Sequence, residues 1–113
     1  MKKDIAEKWV KALRSGKYEQ GIACLNRSNK FCCLGVLCDL AVKEGVSIKV
    51  TQRKKYMFYN GVKSVLPLMV QEWANMTSPQ GVLFNGGALT AMNDKGATFE
   101  EIAKIIEKSW KIL

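Results

Sequence analysis

The stretch Phe31-Cys32-Cys33-Leu34-Gly35-Val36-Leu37-Cys38-Asp39-Leu40-Ala41-Val42 carries a single charged side chain. It falls well short of the roughly 18–20 apolar residues that span a bilayer. A run of this kind in a short chain has to lie inside the protein, with other elements wrapped around it. A helix over about Cys33 to Glu44 places Leu34, Leu37, Cys38 and Ala41 on one stripe, and Gly45 supplies a stop. Everything else in the fold must therefore pack against a central helix that is apolar on most of its faces.

Helices with one apolar face flank it. Asp4 to Arg14 has Ala6, Trp9, Val10 and Leu13 at helical spacing. Asp4 and Glu7 suit a capping-box-like start, and Gly16 suits the end. At the other end of the chain, Thr98 and Glu101 form a capping box. Phe99, Ile102, Ala103, Ile106 and Trp110 then keep one stripe for three turns. Pro67 fits the first position of a short helix bearing Leu68, Val70 and Trp73. A further short helix is expected over Ala88 to Asn93.

Strand signals are concentrated in the middle. Val46 to Val50 alternates apolar and polar residues, and Tyr56-Met57-Phe58-Tyr59 is a β-prone run. Asn60-Gly61 follows, a strong hairpin signal, with Val62 to Val65 as the return strand. Ile22 to Leu25 and Val82 to Phe84 are shorter strand candidates, and Asn26-Arg27-Ser28-Asn29 has turn composition. The reading is an α+β protein with four to five helices and a small antiparallel β-hairpin or three-stranded sheet. The 113 residues are expected to form a single domain, 1–113.

The chain contains no histidine. That removes the commonest general base, the Ser-His and Cys-His nucleophile pairs, and the commonest zinc ligand. The four cysteines stand at 24, 32, 33 and 38. Adjacent Cys32 and Cys33 diverge on a helix or a strand, which suits buried thiols better than a four-cysteine metal site. Asp39, among apolar neighbours, fits an ion pair better than chemistry. Ala91 and Ile102 fall where the first and last ligands of a calcium loop would be needed, so that motif fails. Ala88 to Ile106 resembles part of a helix-turn-helix, but the mixed charges on the last helix suit a phosphate groove poorly. The expectation is a protein that is not an enzyme and uses no cofactor or metal.

Lys and Arg number 18 against 10 acids, a formal charge of +8. Such an excess attracts polyanions. Two features suit an anion. Asn85-Gly86-Gly87 precedes a helix, where backbone N–H groups can gather around a phosphate. Arg53-Lys54-Lys55-Tyr56, with Tyr59, interleaves cations and aromatics as phosphate-and-base sites do. The candidate ligand-binding residues are Arg53, Lys55, Tyr56, Tyr59, Asn85, Gly86 and Gly87. Arg or Lys would neutralise phosphate, Tyr would stack a base, and the glycines would offer amides. The expected partner is an anionic small molecule, a nucleotide above all, at a site formed within one subunit or between copies in a homo-oligomer. The alternative is a host protein or nucleic acid on a basic face of the first helix, with Lys2, Lys3, Lys8, Lys11 and Arg14 as contacts. No membrane partner is expected.

Two strings extend this reading. Trp9-x3-Leu13-Arg14-Ser15-Gly16-Lys17-Tyr18-x-Gln20, followed by Phe31 to Ala41, resembles the start of a small, uncharacterised protein family of bacteriophages and prophages. Met92-Asn93-Asp94-Lys95-Gly96-Ala97-Thr98-Phe99-Glu100-Glu101-Ile102-Ala103, with Ile106-Glu107, resembles its C-terminal half. The resemblance implies a viral accessory protein in the host cytoplasm. Proteins of that kind are often counter-defence factors that sequester nucleotide immune signals or bind host proteins.

Overall fold

The computed structural model describes residues 1–113. Trp9 shows why the first two helices meet. It lies on α1 (Lys3–Arg14), is fully buried, and its indole N–H donates to the carbonyl oxygen of Cys33 at 2.9 Å. Cys33 opens α2 (Cys33–Lys43). A buried indole N–H without an acceptor is costly, so this bond fixes where α1 crosses the start of α2. Every residue from Cys32 to Cys38 is buried, as the apolar run requires, and one cluster of 25 buried residues gathers around α2.

The helix ends follow local chemistry, with one correction. Lys2, not Asp4, is the N-cap of α1, and no side chain caps it. The Lys2 N–H instead donates to the Ala74 carbonyl at 2.9 Å, so a tertiary bond replaces the expected capping box. Gly16 and Gly45 take φ of +74° and +87°, ending α1 and α2 as expected. α3 (Leu68–Ala74) follows Pro67 as its N-cap, and α4 (Leu89–Asp94) is a helix of six residues. α5 (Phe99–Ser109) opens on the expected capping box. The Glu101 N–H donates to Thr98 Oγ1 at 3.1 Å, and the Thr98 N–H donates to Glu101 Oε1 at 3.0 Å. α5 lies along α1, and Arg14 clasps it by donating to Glu100 and Glu107, both at 2.8 Å.

The sheet is larger than the expected hairpin or three strands. It has five strands in the order β1-β3-β2-β5-β4: β1 (Glu19–Gln20), β2 (Asn26–Arg27), β3 (Lys30–Phe31), β4 (Val50–Arg53) and β5 (Tyr56–Tyr59). β1 and β3 are parallel and the other pairs antiparallel, so the sheet is mixed. The turn predicted over residues 26–29 narrows to Ser28-Asn29, both at positive φ, with a strand end on each side. Ile22 to Leu25 is not a strand. The strand read over Val46 to Val50 starts instead at Val50, because Lys49 is bound to Asn60: its N–H donates to Asn60 Oδ1 at 2.7 Å, and its carbonyl accepts from the Asn60 N–H at 2.8 Å. The return from Asn60-Gly61 reduces to one bridge, Tyr59 to Val62, and Val82 to Phe84 reduces to the bridge Val82 to Ala88.

Lys54, in the β4–β5 turn, sits at φ +56°. An L-residue there costs about 1–2 kcal/mol that glycine does not. Lys54→Gly is expected to raise the unfolding free energy by about 0.5–1 kcal/mol, after the greater entropy of unfolded glycine is subtracted. Urea titration followed by circular dichroism measures it; a loss of stability would contradict the turn geometry.

Candidate anion site on the sheet

Strand pleat sorts the residues of β5. Tyr59 is 3% exposed and belongs to the core, and Met57 packs against that core. Tyr56 and Phe58 therefore face outward. Register partners share a face, so the outer face carries a row running Glu19, Lys30, Arg27, Tyr56, Arg53 across the sheet. Arg27 stands directly opposite Lys30, a like-charge pairing that disfavours the free sheet.

The cations gather on the rings. Around Tyr56, Lys63 lies 4.5 Å from the ring centroid, Lys55 5.8 Å and Arg27 5.9 Å. Around Phe58, Arg53 lies at 5.9 Å and Lys63 at 6.0 Å. None of Arg27, Arg53, Lys55 and Lys63 forms an ion pair. Sequence explains the absence for Arg53, Lys55 and Lys63: no Asp or Glu stands between Glu44 and Glu72, while Lys49, Arg53, Lys54, Lys55 and Lys63 do. Beside Tyr56 an open cleft of about 510 Å³ is lined by Gln20, Gly21, Ile22, Arg27, Ser28, Lys30 and Lys55. Asp94 accepts from the Ala23 N–H beside it at 2.9 Å, and Glu19 reaches Lys30 only at 4.0 Å, with both side chains more than half exposed. Such a pair contributes little.

The cleft walls are held from inside. Asn93, 1% exposed, accepts from Gln20 Nε2 at 2.9 Å and from the Cys33 N–H at 3.1 Å. Its amide nitrogen donates to the Gly21 carbonyl at 2.9 Å and to Asp94 at 3.3 Å. Gln20 also donates to the Ala97 carbonyl at 2.8 Å. On the other side the Ser28 N–H donates to the Lys55 carbonyl at 2.8 Å, and the Leu25 N–H to that of Lys63 at 2.7 Å. These bonds bring Arg27, Lys55 and Lys63 from three segments to one ring.

The residues singled out in the sequence divide. Arg53, Lys55 and Tyr56 share this face. Tyr59 does not: it is one pleat out of phase, and burial pushes its hydroxyl pKa up. It cannot stack a base. Asn85, Gly86 and Gly87 are not part of the cleft either. They make a tight turn whose amides are used, Gly86 N–H to the Leu83 carbonyl and Gly87 N–H to Asn85 Oδ1, both 2.9 Å. At the start of α4 the Leu89 and Thr90 N–H groups donate to the carbonyls of Gly81 and Gln80. The glycine amides that an anion would need are thus already engaged. The groove beside this turn, lined by Leu83, Phe84, Met92, Ile105 and Ile112 among others, is apolar. Sequence reasoning missed Arg27, Lys30, Lys63 and Phe58; the acid-free interval was the signal for Lys63 and Phe58.

The first-helix cations are partly consumed. Lys8 pairs with Glu44, and Arg14 with two glutamates, while Lys2, Lys3 and Lys11 stay unpaired. A groove of about 780 Å³ between α1 and α5 includes Lys3, Lys11 and Lys17, but Glu7 and Glu107 also line it. It is therefore less positive than the sheet face. All four cysteines are free and buried. Burial pushes Cys32 up to about 11 and Cys33 and Cys38 upward as well, so these thiols stay protonated at neutral pH. No three His, Cys, Asp or Glu side chains stand close enough to hold a metal. Asp39 accepts from the Tyr18 hydroxyl and pairs with Lys43 at 3.0 Å. No helix is long and apolar enough to cross a membrane.

The chain belongs to the family described as a domain of unknown function (DUF8296), which matches residues 1–110. No curated protein and no solved structure matches it.

Proposed function

We propose that this member of the DUF8296 family is a non-enzymatic binding protein that captures an anionic nucleotide on the outer face of its sheet. The observation that carries the reading is the set of four cations, Arg27, Arg53, Lys55 and Lys63, standing over two outward aromatic rings with no carboxylate paired to any of them. In a free protein that arrangement is self-repelling; a phosphate relieves it while a base stacks on a ring. The cleft that adjoins this face shares Arg27 and Lys55 with the set and adds Lys30. Binding needs no proton transfer or nucleophile, in keeping with a chain without histidine. In biological terms the proposal is a phage-encoded counter-defence factor in the host cytoplasm, removing a nucleotide signal by sequestration.

Thermal-shift measurements with AMP, ATP and cyclic nucleotides test this. A ligand present at about 100 times its Kd stabilises by about 2.7 kcal/mol, roughly 10 °C in a domain of this size. Tyr56→Ala and Arg27→Gln are each expected to weaken binding at least about tenfold. Were no nucleotide at about 1 mM to move the midpoint, the reading would fail.

A further inference from the structure

Two rings face outward on β5, and a mononucleotide has only one base to give them. We infer, resting on the nucleotide reading above, that the face is shaped for a dinucleotide: one base on Tyr56, one on Phe58, and two phosphates among the surrounding cations. Residues two apart on a strand are roughly 6.8 Å apart and share a face. Each ring has its own cations. Arg27 and Lys55 stand at Tyr56, Arg53 stands at Phe58, and Lys63 reaches both, at 4.5 and 6.0 Å. A single phosphate by Tyr56 would leave Arg53 and Phe58 unused.

Lys63 has a second part in this. Without ligand its ammonium covers the Tyr56 ring. A base stacking there takes its place, and the long, flexible side chain swings to a phosphate between the two rings. The length of the platform limits the ligand. β5 has four residues, closed at one end by the Lys54 turn and at the other by the Tyr59–Val62 bridge. Two bases fill it.

Isothermal titration of the whole chain with AMP, linear pApA, cyclic di-AMP and the strand dA10 tests the assignment. One or both dinucleotides should bind at least about tenfold more tightly than AMP, the gain from a second stacked base. The stronger of the two identifies the linear or the cyclic form. Phe58→Leu keeps apolar bulk but removes the ring. It should lower dinucleotide affinity at least about tenfold more than it lowers AMP affinity, with its melting midpoint confirming that it is folded. AMP binding as tightly as both dinucleotides overturns the inference and leaves the nucleotide reading standing. So does an equal loss of AMP and dinucleotide affinity in Phe58→Leu. A dA10 affinity more than about tenfold above either dinucleotide replaces it with a strand-binding surface. Failure of all four probes sinks both readings together.

Discussion

Gly35→Ala is expected to yield little or no folded protein. Gly35 lies in the first turn of α2, where the chain before β2 crosses the helix at close range. A Cβ there would stand 1.7 Å from the Leu25 carbonyl oxygen and 2.6 Å from its carbonyl carbon. These are backbone atoms, so no rotamer change relieves the clash. Leu25 cannot retreat: its side chain is fully buried, and its N–H donates to the Lys63 carbonyl at 2.7 Å. Either α2 or the Leu25 segment must leave its place in the core. The expected cost exceeds about 4 kcal/mol, a large part of the 5–15 kcal/mol that such domains have. Gly61→Ala is the control. Nothing lies within 4 Å of its added Cβ, and only the φ of +81° resists it, at about 1 kcal/mol. Soluble yield and urea midpoints compare the two. Equal, mild effects would mean that the crossing is looser than 1.7 Å implies.

Asn93→Ala comes next in size. The side chain joins α4, the start of α2 and the loop after β1 through four hydrogen bonds. Truncation leaves the part-buried Gly21 carbonyl and the buried Cys33 N–H without those partners. Each such group costs about 1–3 kcal/mol, so a total near 3 kcal/mol and a fall in melting midpoint of roughly 10 °C or more are expected. Asn93→Asp is informative beside it. A carboxylate can still accept from Gln20 and Cys33 but can no longer donate to the Gly21 carbonyl, and burial penalises its charge. It should be at least as damaging near neutral pH and milder in acid, where the protonated form donates again. A midpoint unchanged from pH 7 to pH 5 would contradict the buried network. Because Gln20 and Gly21 line the cleft, both variants should also weaken ligand binding more than their distance from the rings suggests.

The helices were legible because each carries its own instructions. The Thr98–Glu101 capping box and the stripe through Phe99, Ile102 and Ile106 define α5 locally. The apolar run of α2 can go nowhere but the core. The Asn60-Gly61 turn forms as its dipeptide demands, at φ of +51° and +81°. The sheet was half hidden because β1, β2 and β3 have two residues each, too few to show an alternating pattern. Their pairing is imposed by distant bonds, such as that from Leu25 to Lys63. Val46 and Ile48 do alternate, but they pack against the core without a ladder partner, so pattern and pairing part company there.

The site was legible in its contiguous piece. Arg53, Lys55 and Tyr56 stand together in sequence and in space. Tyr59 was misplaced by parity: three residues from Tyr56 on a strand means the opposite face. The Asn85-Gly86-Gly87 corner has the composition of an anion nest, but composition does not say whether the amides are already engaged. Arg27 and Lys63 come from segments 29 and 7 positions away from Tyr56. Only the assembled sheet brings them to one ring.

The lengthwise pairing of α1 with α5 also governs how the protein is made. The buried face of α1 has part of its cover on a helix that begins at Phe99. A ribosome adding about 5–20 residues per second takes roughly 4–17 s to travel from Arg14 to Phe99. For that interval the nascent N-terminal segment is greasy and unsheltered. Completion of the native state waits on the codons of α5, so a chain stalled before residue 99 is a client for chaperones or proteases rather than a working fragment.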